Sequence, residues 1–169
     1  MNTISRRRFL QLAAATGGTL AFSNLAAQVL GQSSGPRVAY AGESIKIGIL
    51  DPLSSPYKTS SVHDVHGATV AVDRVNKDGG VLGRQVAILE ADDASNVQTA
   101  LKAATKFIKE DRVDALMGTF NGEVALAVSD LAKKENTLFM VTGAHVPELT
   151  GGGCNSHTFV FMPSARMLS

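Results

Sequence analysis

The chain has 169 residues, which fits one domain, or one domain with an appendage, and excludes a large multidomain enzyme. Hydrophobic residues make up 44% of the sequence and charged residues 18%, a composition typical of a folding chain rather than a disordered one. A net charge of +1 with no long run of lysine or arginine gives no electrostatic footprint for nucleic acid, so no nucleic-acid partner is expected. The single cysteine, Cys154, excludes an internal disulfide framework and a cysteine-rich zinc site.

The charge is unevenly distributed along the chain. Residues 1–41 carry four arginines and no acidic residue, whereas residues 42–169 carry the other 12 cationic residues and all 15 acidic ones. The arginines at positions 6–8 precede an apolar stretch from Leu10 to about Phe22, and small residues follow at 39–41, which is the order of a secretory signal peptide. Polar residues interrupt this stretch, so it is too weakly apolar for a transmembrane span of about 20 residues. The alternative is an N-terminal anchor helix or a chance amphipathic segment.

The arginine pair Arg6-Arg7, one residue before Phe9-Leu10, resembles the twin-arginine export motif. The sequence therefore predicts a twin-arginine-type signal peptide over residues 1–41, cleaved near Ala41, with the twin-arginine translocase as a partner and a periplasmic product. The mature domain is predicted to cover residues 42–169. A lipoprotein is excluded because Cys154 lies far from the cleavage region.

The first half of the mature part predicts strand, helix and strand. Residues 45–50 form a short β-rich run, and residues 52–61 are predicted as a loop because prolines and serines follow. Residues 86–91 predict a second strand, which ends at Asp92-Asp93. Between the strands, apolar spacings of three and four predict a helix that ends at Gly79-Gly80, with an apolar stripe of Val65, Ala68, Val72 and Val75.

The second half repeats the alternation. Ser95 and Gln98 are spaced as a capping box for a second helix, with Val97, Leu101, Ala104 and Ile108 on its apolar side. Residues 114–118 predict a third strand and residues 122–135 a third helix, with Val124, Ala127, Val128 and Leu131 facing inward. Residues 138–141 and 158–161 predict two more strands, and residues 142–157 a loop.

Strands that alternate with helices predict an α/β fold, a doubly wound parallel sheet with helices on both faces. Ligands bind such sheets outside the carboxyl ends of the strands, where the strand order reverses. For a predicted order 2-1-3-4, the loops at that point are residues 52–57, 119–123 and 142–146. The second loop contains Asn121-Gly122 at a helix N-terminus, where free N–H groups favour an anion such as a carboxylate. Asn121 is also a preferred helix cap.

No pattern in the sequence predicts a catalytic or cofactor site. A glycine-rich dinucleotide fingerprint, a phosphate-binding loop and a Gly-x-Ser-x-Gly motif are all absent. His63, Asp64 and His66 lack the further ligands of a metal site. Asp92-Asp93 is compatible with a magnesium site, but its place after a peripheral strand favours a polar turn and helix entry. No cofactor and no metal are therefore expected.

Four segments, in this order, resemble the leucine/isoleucine/valine-binding proteins, the type I periplasmic substrate-binding components of ABC transporters. They are residues 45–57 (IKIGILDPLSSPY), 76–84 (NKDGGVLGR), 92–95 (DDAS) and 147–150 (PELT). The resemblance covers residues 44 to about 164. It implies a two-lobed protein that closes on an amino acid or related small carboxylate and delivers it to an ABC permease in the inner membrane.

The resemblance also implies where the first lobe holds its ligand. Gly122 and Glu123, beside Asn121, occupy the loop after the third strand, where the family usually has serines. The loop after the fourth strand holds Gly143, Ala144 and His145, the last where threonine is usual. Tyr57 either packs on the lobe or covers the ligand. Glu123 also suits the helix dipole without a ligand, and His145 is otherwise a solvated loop residue.

Members of this family are roughly twice as long, so the chain is expected to be an incomplete lobe, and Cys154 is either a free thiol or pairs with an absent segment. The function expected is a non-enzymatic solute-binding protein for an amino acid or a small carboxylate or amide. Two alternatives stay open. One is a ligand-sensing receptor domain of the same fold. The other is a small α/β enzyme that uses Asp51, Ser54 or Asp92.

Overall fold

The computed structural model describes residues 42–163 and Met167. The predicted signal peptide over residues 1–41, with its arginine pair and its cleavage point near Ala41, lies outside the described residues. Within the part that is described, no helix combines the length and the hydropathy needed to cross a membrane.

The described residues form one parallel five-stranded sheet. Its strands in chain order are β1 (Ile45–Asp51), β2 (Val86–Asp92), β3 (Ala115–Gly118), β4 (Leu138–Val141) and β5 (Thr158–Val160). The spatial order is β2-β1-β3-β4-β5, and every neighbouring pair is parallel. The predicted order 2-1-3-4 is therefore confirmed, and β5 adds an edge strand beside β4.

Three helices connect the strands: α1 (Lys58–Lys77), α2 (Val97–Lys106) and α3 (Gly122–Lys134). A π-helical turn, Phe107–Asp111, continues α2, and a 3-10 turn, Pro147–Thr150, lies between β4 and β5. The chain moves from β1 to β2 in one direction along the sheet and from β2 through β3 to β4 in the other. Because parallel crossovers are right-handed, α1 lies on one face of the sheet, and α2 and α3 lie on the opposite face.

Helix α1 begins earlier than the sequence predicted, because residues 58–61 are helical rather than part of the loop. Ser55 accepts a hydrogen bond from the Tyr57 amide through its hydroxyl, and its carbonyl accepts one from the Lys58 amide. Ser61 is buried, and its hydroxyl donates to the carbonyls of Pro52 and Tyr57. These serines are polar, as in a loop, but their hydrogen bonds join the start of the helix to the residues just before it.

The predicted capping box at the start of α2 is wrong. The cap is Asn96, whose side-chain oxygen accepts from the Thr99 amide at 3.0 Å. Ser95 lies one residue outside the cap with φ +52°, and its buried hydroxyl has no hydrogen-bond partner among the described residues. Two cap-forming residues stand side by side here, and the backbone turn after Asp93 decides between them.

The core lies between the sheet and the pair α2 and α3. Its largest members are Leu50, Phe107, Leu116, Val124, Val128, Phe139 and Val141, all nearly inaccessible to solvent. Helix α1 buries less: of its predicted stripe, Val65 is buried, Ala68 and Val72 are half-buried, and Val75 is exposed. The core therefore holds the carboxyl ends of β1, β3 and β4 in fixed positions, and these ends carry the candidate site.

Candidate functional site

The carboxyl ends of β1, β3 and β4 lie side by side at one edge of the sheet. Leu50 of β1 pairs with Gly118 of β3, and Gly118 pairs with Val141 of β4. The three loops singled out from the sequence leave the sheet from this edge, at residues 52–57, 119–123 and 142–146. The edge includes the point between β1 and β3 where the strand order reverses, which is where doubly wound sheets bind ligands.

A pair of aromatic rings connects these loops. Tyr57, at the start of α1, stacks on Phe120 after β3, with ring centroids 6.0 Å apart and planes 11° apart. Phe120 also packs on Gly143 after β4, where an added Cβ would lie 2.8 Å from the ring. Half of the Tyr57 surface is exposed, so the pair presents an apolar surface at the edge. The sequence analysis missed Phe120, although a large apolar residue between a strand end and a helix cap was a signal for it.

Asn121 caps α3. Its side-chain oxygen accepts from the Glu123 amide at 2.9 Å and from the Val124 amide at 3.2 Å. Two of the N–H groups at this helix start are therefore bound by the protein itself, which corrects the expectation that they are free for a ligand carboxylate. Among residues 42–163 the Gly122 amide has no such partner. Glu123 is exposed in the first turn, where a carboxylate is favoured by the helix dipole.

Gly122 faces a neighbour rather than open space. A Cβ added there would lie 2.7 Å from Cγ2 of Val146, closer than side chains approach one another. The first turn of α3 therefore packs directly on the loop after β4, and Gly122 makes this contact possible.

We expect Gly122→Ala to lower the free energy of unfolding by about 1–2 kcal/mol, because the new methyl group overpacks this contact. Val146→Ala in the same chain should recover most of that loss, since it removes the methyl that the new Cβ meets. Urea unfolding of both single variants and the double variant measures the coupling. Losses that simply add in the double variant would contradict this account of the contact.

The predicted residues of the loop after β4 have different environments. Gly143 and Ala144 are buried, and Ala144 belongs to the core, so its side chain does not reach the open edge. His145 is exposed, and its Nδ1 lies 2.7 Å from the carbonyl oxygen of Pro163. Because a carbonyl can only accept, Nδ1 carries the proton and donates it. His145 thus ties this loop to the segment that follows β5.

A buried polar cluster lies directly beneath the edge. The side chains of Asp51, Asp93 and Thr119 are all nearly inaccessible to solvent. Asp51 Oδ1 accepts from the Thr119 amide at 3.0 Å, and the Thr119 hydroxyl donates to Asp93 Oδ2 at 2.7 Å. Burial raises the pKa of Asp51, the Thr119 amide lowers it, and the charges of Asp64 and Asp93 raise it, so that it stands at about 7 instead of 3.8.

Asp92 fixes the loop after β1. Its Oδ1 accepts from the amides of Leu53 at 2.9 Å and Ala94 at 2.8 Å. Burial opposes ionisation of Asp92, but these hydrogen bonds and those from Ser54 outweigh it and hold the pKa below its usual value. Its carboxylate therefore closes a polar turn, as the sequence suggested, rather than standing free for a metal or a substrate.

Within residues 42–163, no group of three acidic, histidine or cysteine side chains is placed to hold a metal ion. His63 and His66 are exposed on α1, and Cys154 is an exposed free thiol in the loop before β5. The site consists instead of loop backbone, one aromatic pair and an unpaired amide, which is the chemistry of non-covalent recognition. Fold and edge together are those of a doubly wound α/β domain, a class that binds ligands at this edge of its sheet.

The chain belongs to the periplasmic binding protein family, which its sequence matches over residues 44–169. It is 34% identical over 113 residues to the Leu/Ile/Val-binding protein BraC3 of Rhizobium johnstonii, covering 67% of this chain and 30% of that protein. It is 28% identical over 134 residues to the Leu/Ile/Val-binding protein of Escherichia coli, covering 79% of this chain and 32% of that protein.

Among solved structures, the fold matches the branched-chain amino acid transporter substrate-binding protein LivJ of Streptococcus pneumoniae in complex with isoleucine. The TM-score is 0.66 with 25% identity, over 72% of this chain and 34% of that one. The predicted family and fold class are thus confirmed. The chain spans about a third of the length of these relatives.

Proposed function

We propose that this protein is the solute-binding component of an ABC importer. It captures an amino acid, or a related small carboxylate or amide, in the periplasm and delivers it to a permease in the inner membrane. The observation that carries the proposal is the match to the periplasmic binding protein family over residues 44–169, which includes all three loops at the sheet edge. A protein of this kind binds without chemical conversion, and we include the absence of enzymatic activity in the proposal.

The edge offers complementary groups to such a ligand. The Gly122 amide, at the positive end of the α3 dipole, is a donor for a carboxylate. The Tyr57–Phe120 pair is an apolar surface for the ligand's side chain. Three relatives described above carry leucine, isoleucine, valine or branched-chain amino acids in their names, which supports an amino acid as the first ligand to test.

Ligand-induced shifts of amide NMR signals test this function. With leucine, isoleucine and benzoate at millimolar concentration, we expect shifts at residues 57, 120–123 and 143–145, and none on the outer surface of α2. The double variant Gly122→Val with Val146→Ala should lose the shifts, because a branched side chain then occupies the space before the amide. The variant Val146→Ala alone is the matched control and should keep them. Shifts scattered over the surface, with none concentrated at these loops, would refute the proposal.

We also propose export by the twin-arginine route, on the basis of Arg6-Arg7 before Phe9-Leu10 and the weakly apolar stretch that follows. Replacing both arginines by lysine keeps the positive charge but removes the motif, so we expect the precursor to accumulate in the cytoplasm. Cell fractionation followed by immunoblotting measures this. Lysine in place of Arg37 is the matched control and should leave export unchanged. An undiminished periplasmic yield of the double-lysine variant would contradict the proposed route.

A further inference from the structure

One carboxylate oxygen of the buried cluster has no hydrogen-bond partner. Asp51 is 1% exposed, and its Oδ2 has no hydrogen-bond donor among the described residues, while Oδ1 accepts from the Thr119 amide. An unpaired anionic oxygen in such a position costs far more free energy than an unpaired neutral hydroxyl. The geometry therefore favours the protonated form of this side chain.

The two charged groups that act on Asp51 are both acidic. Asp64 approaches from α1, with His63 beside it, and Asp93 approaches from the turn after β2. The neighbouring Asp92 turns its carboxylate to the amides of the loop after β1. The ion pairs among the described residues, Lys106–Asp111 and Lys109–Glu135, involve none of these groups. Within residues 42–163, no cation thus forms an ion pair with Asp51.

Thr119 links this carboxyl to the loop at the edge. Its φ is +65°, in the left-handed region that a β-branched residue rarely adopts. Three hydrogen bonds hold it there: its amide donates to Leu50 O at 2.9 Å and to Asp51 Oδ1 at 3.0 Å, and its hydroxyl donates to Asp93. The two residues that follow are Phe120 of the aromatic pair and Asn121, the α3 cap. The strained conformation of Thr119 therefore places both of them.

We propose that Asp51 holds a proton in the folded protein and, in that neutral form, positions the loop from Thr119 to Asn121, so that loss of the proton loosens this loop. Ionisation places an unpaired negative charge close to Asp93 and Asp64. Opening of the loop lowers the free-energy cost of this charge, because water then hydrates the carboxylate. Insofar as this loop binds a ligand, the inference rests on the proposed function. The proton site itself does not depend on it.

The direction of the pH effect follows from proton linkage. The closed loop keeps the pKa of Asp51 near 7, whereas in the open, hydrated state it returns toward 3.8. The closed state binds the extra proton between these two values, so its stability is complete below about pH 4 and decreases until about pH 7. Above that value both states are ionised and the stability no longer changes.

Amide hydrogen exchange of Thr119, whose amide donates to Leu50 O and Asp51 Oδ1, is followed by NMR in the 169-residue chain and tests the proposal. Linkage permits a decrease of up to about tenfold per pH unit, and we expect the protection factors to fall at least about tenfold from pH 5 to pH 7.5. Asp51→Asn has the shape of the protonated acid and no titration, so its protection should not change over this range. Asp130→Asn, at an exposed position on α3, is the matched control and should follow the wild type.

Constant protection of Thr119 in the wild type would overturn the proposal, as would an Asp51→Asn variant that keeps the wild-type pH profile. If that variant does not fold, the carboxyl 13C shift of Asp51 in the wild-type chain decides, because an ionised Asp51 at pH 5 overturns the proposal and a protonated one supports it. Neither measurement contains a ligand. A failure of the proposed function therefore appears only in the ligand titration, and a failure of the proton site appears only here.

Discussion

Gly118→Ala is expected to lower the free energy of unfolding by about 3–5 kcal/mol, because two independent penalties act at this position. Its φ is +122°, a backbone conformation open to glycine and strained for any L side chain. An added Cβ would also lie 2.3 Å from the carbonyl oxygen of Leu50 and 2.9 Å from Asp51 Oδ1. The obstructing carbonyl belongs to β1 in the centre of the sheet, so it has no room to move.

Chemical unfolding followed by circular dichroism measures this loss, and a shifted midpoint with an unchanged slope would show that stability alone has changed. Gly152→Ala is the matched control, since nothing lies within 4 Å of a Cβ there and the residue is in an exposed loop. Its effect should stay within about 0.5 kcal/mol. A Gly118→Ala variant as stable as this control would show that β3 does not need a glycine where it leaves the sheet.

The 169-residue chain by itself is expected to bind amino acids and small carboxylates with a dissociation constant of about 0.1 mM or weaker. Closed pockets bury roughly 70–90% of a small ligand's surface, whereas the described edge offers a single wall. A second wall covering about 100–150 Å² of ligand at ~25 cal/mol/Å² contributes on the order of 3 kcal/mol. Without it a micromolar affinity weakens about a hundredfold.

Calorimetric titration with a panel of amino acids, aromatic carboxylates and amides measures the affinity. Size-exclusion chromatography must accompany it, because β5 is an edge strand and Phe159 and Phe161 are 52% and 67% exposed. Micromolar binding by a monomer would contradict the prediction and show that this lobe suffices for recognition. Weak binding that disappears in the double variant at Gly122 and Val146 would locate the ligand at the edge.

Much of the architecture follows from local patterns. The alternation of β-rich runs with apolar spacings of three and four predicted five strands and three helices in the right order. The strand at residues 138–141 agrees at both ends. Such patterns are reliable because a residue's burial in a sheet or helix depends mainly on periodicity. Two local predictions were wrong: residues 58–61 are the first turn of α1 rather than a loop, and the cap of α2 is Asn96 rather than Ser95. Serine and asparagine side chains form the hydrogen bonds of turns and of helix caps equally well, so the sequence did not distinguish these cases.

The candidate site, too, could be predicted only in part from the sequence. The three loops could be located from the predicted strand order alone, because parallel strands deliver their carboxyl ends to one edge. The directions of the side chains could not be predicted from the strand order. Ala144 turns into the core, Gly122 faces Val146, and the cap Asn121 occupies amides that the sequence left open to a ligand. Phe120 belongs to the site because Tyr57 and Gly143, which are distant from it along the chain, pack on its ring.

The amino-acid sequence by itself determined the family, the order of the elements and the edge where a ligand is expected, because these depend on periodicity and on motifs read along the chain. Only the tertiary structure showed that Asp51 is buried. Nothing in the run Leu50-Asp51-Pro52 distinguishes a solvated strand end from a buried carboxyl. That distinction requires Asp93 and Thr119, which are distant along the chain, to meet Asp51 where water is excluded. Desolvation is a property of the assembled surroundings, so it becomes visible only in the folded protein.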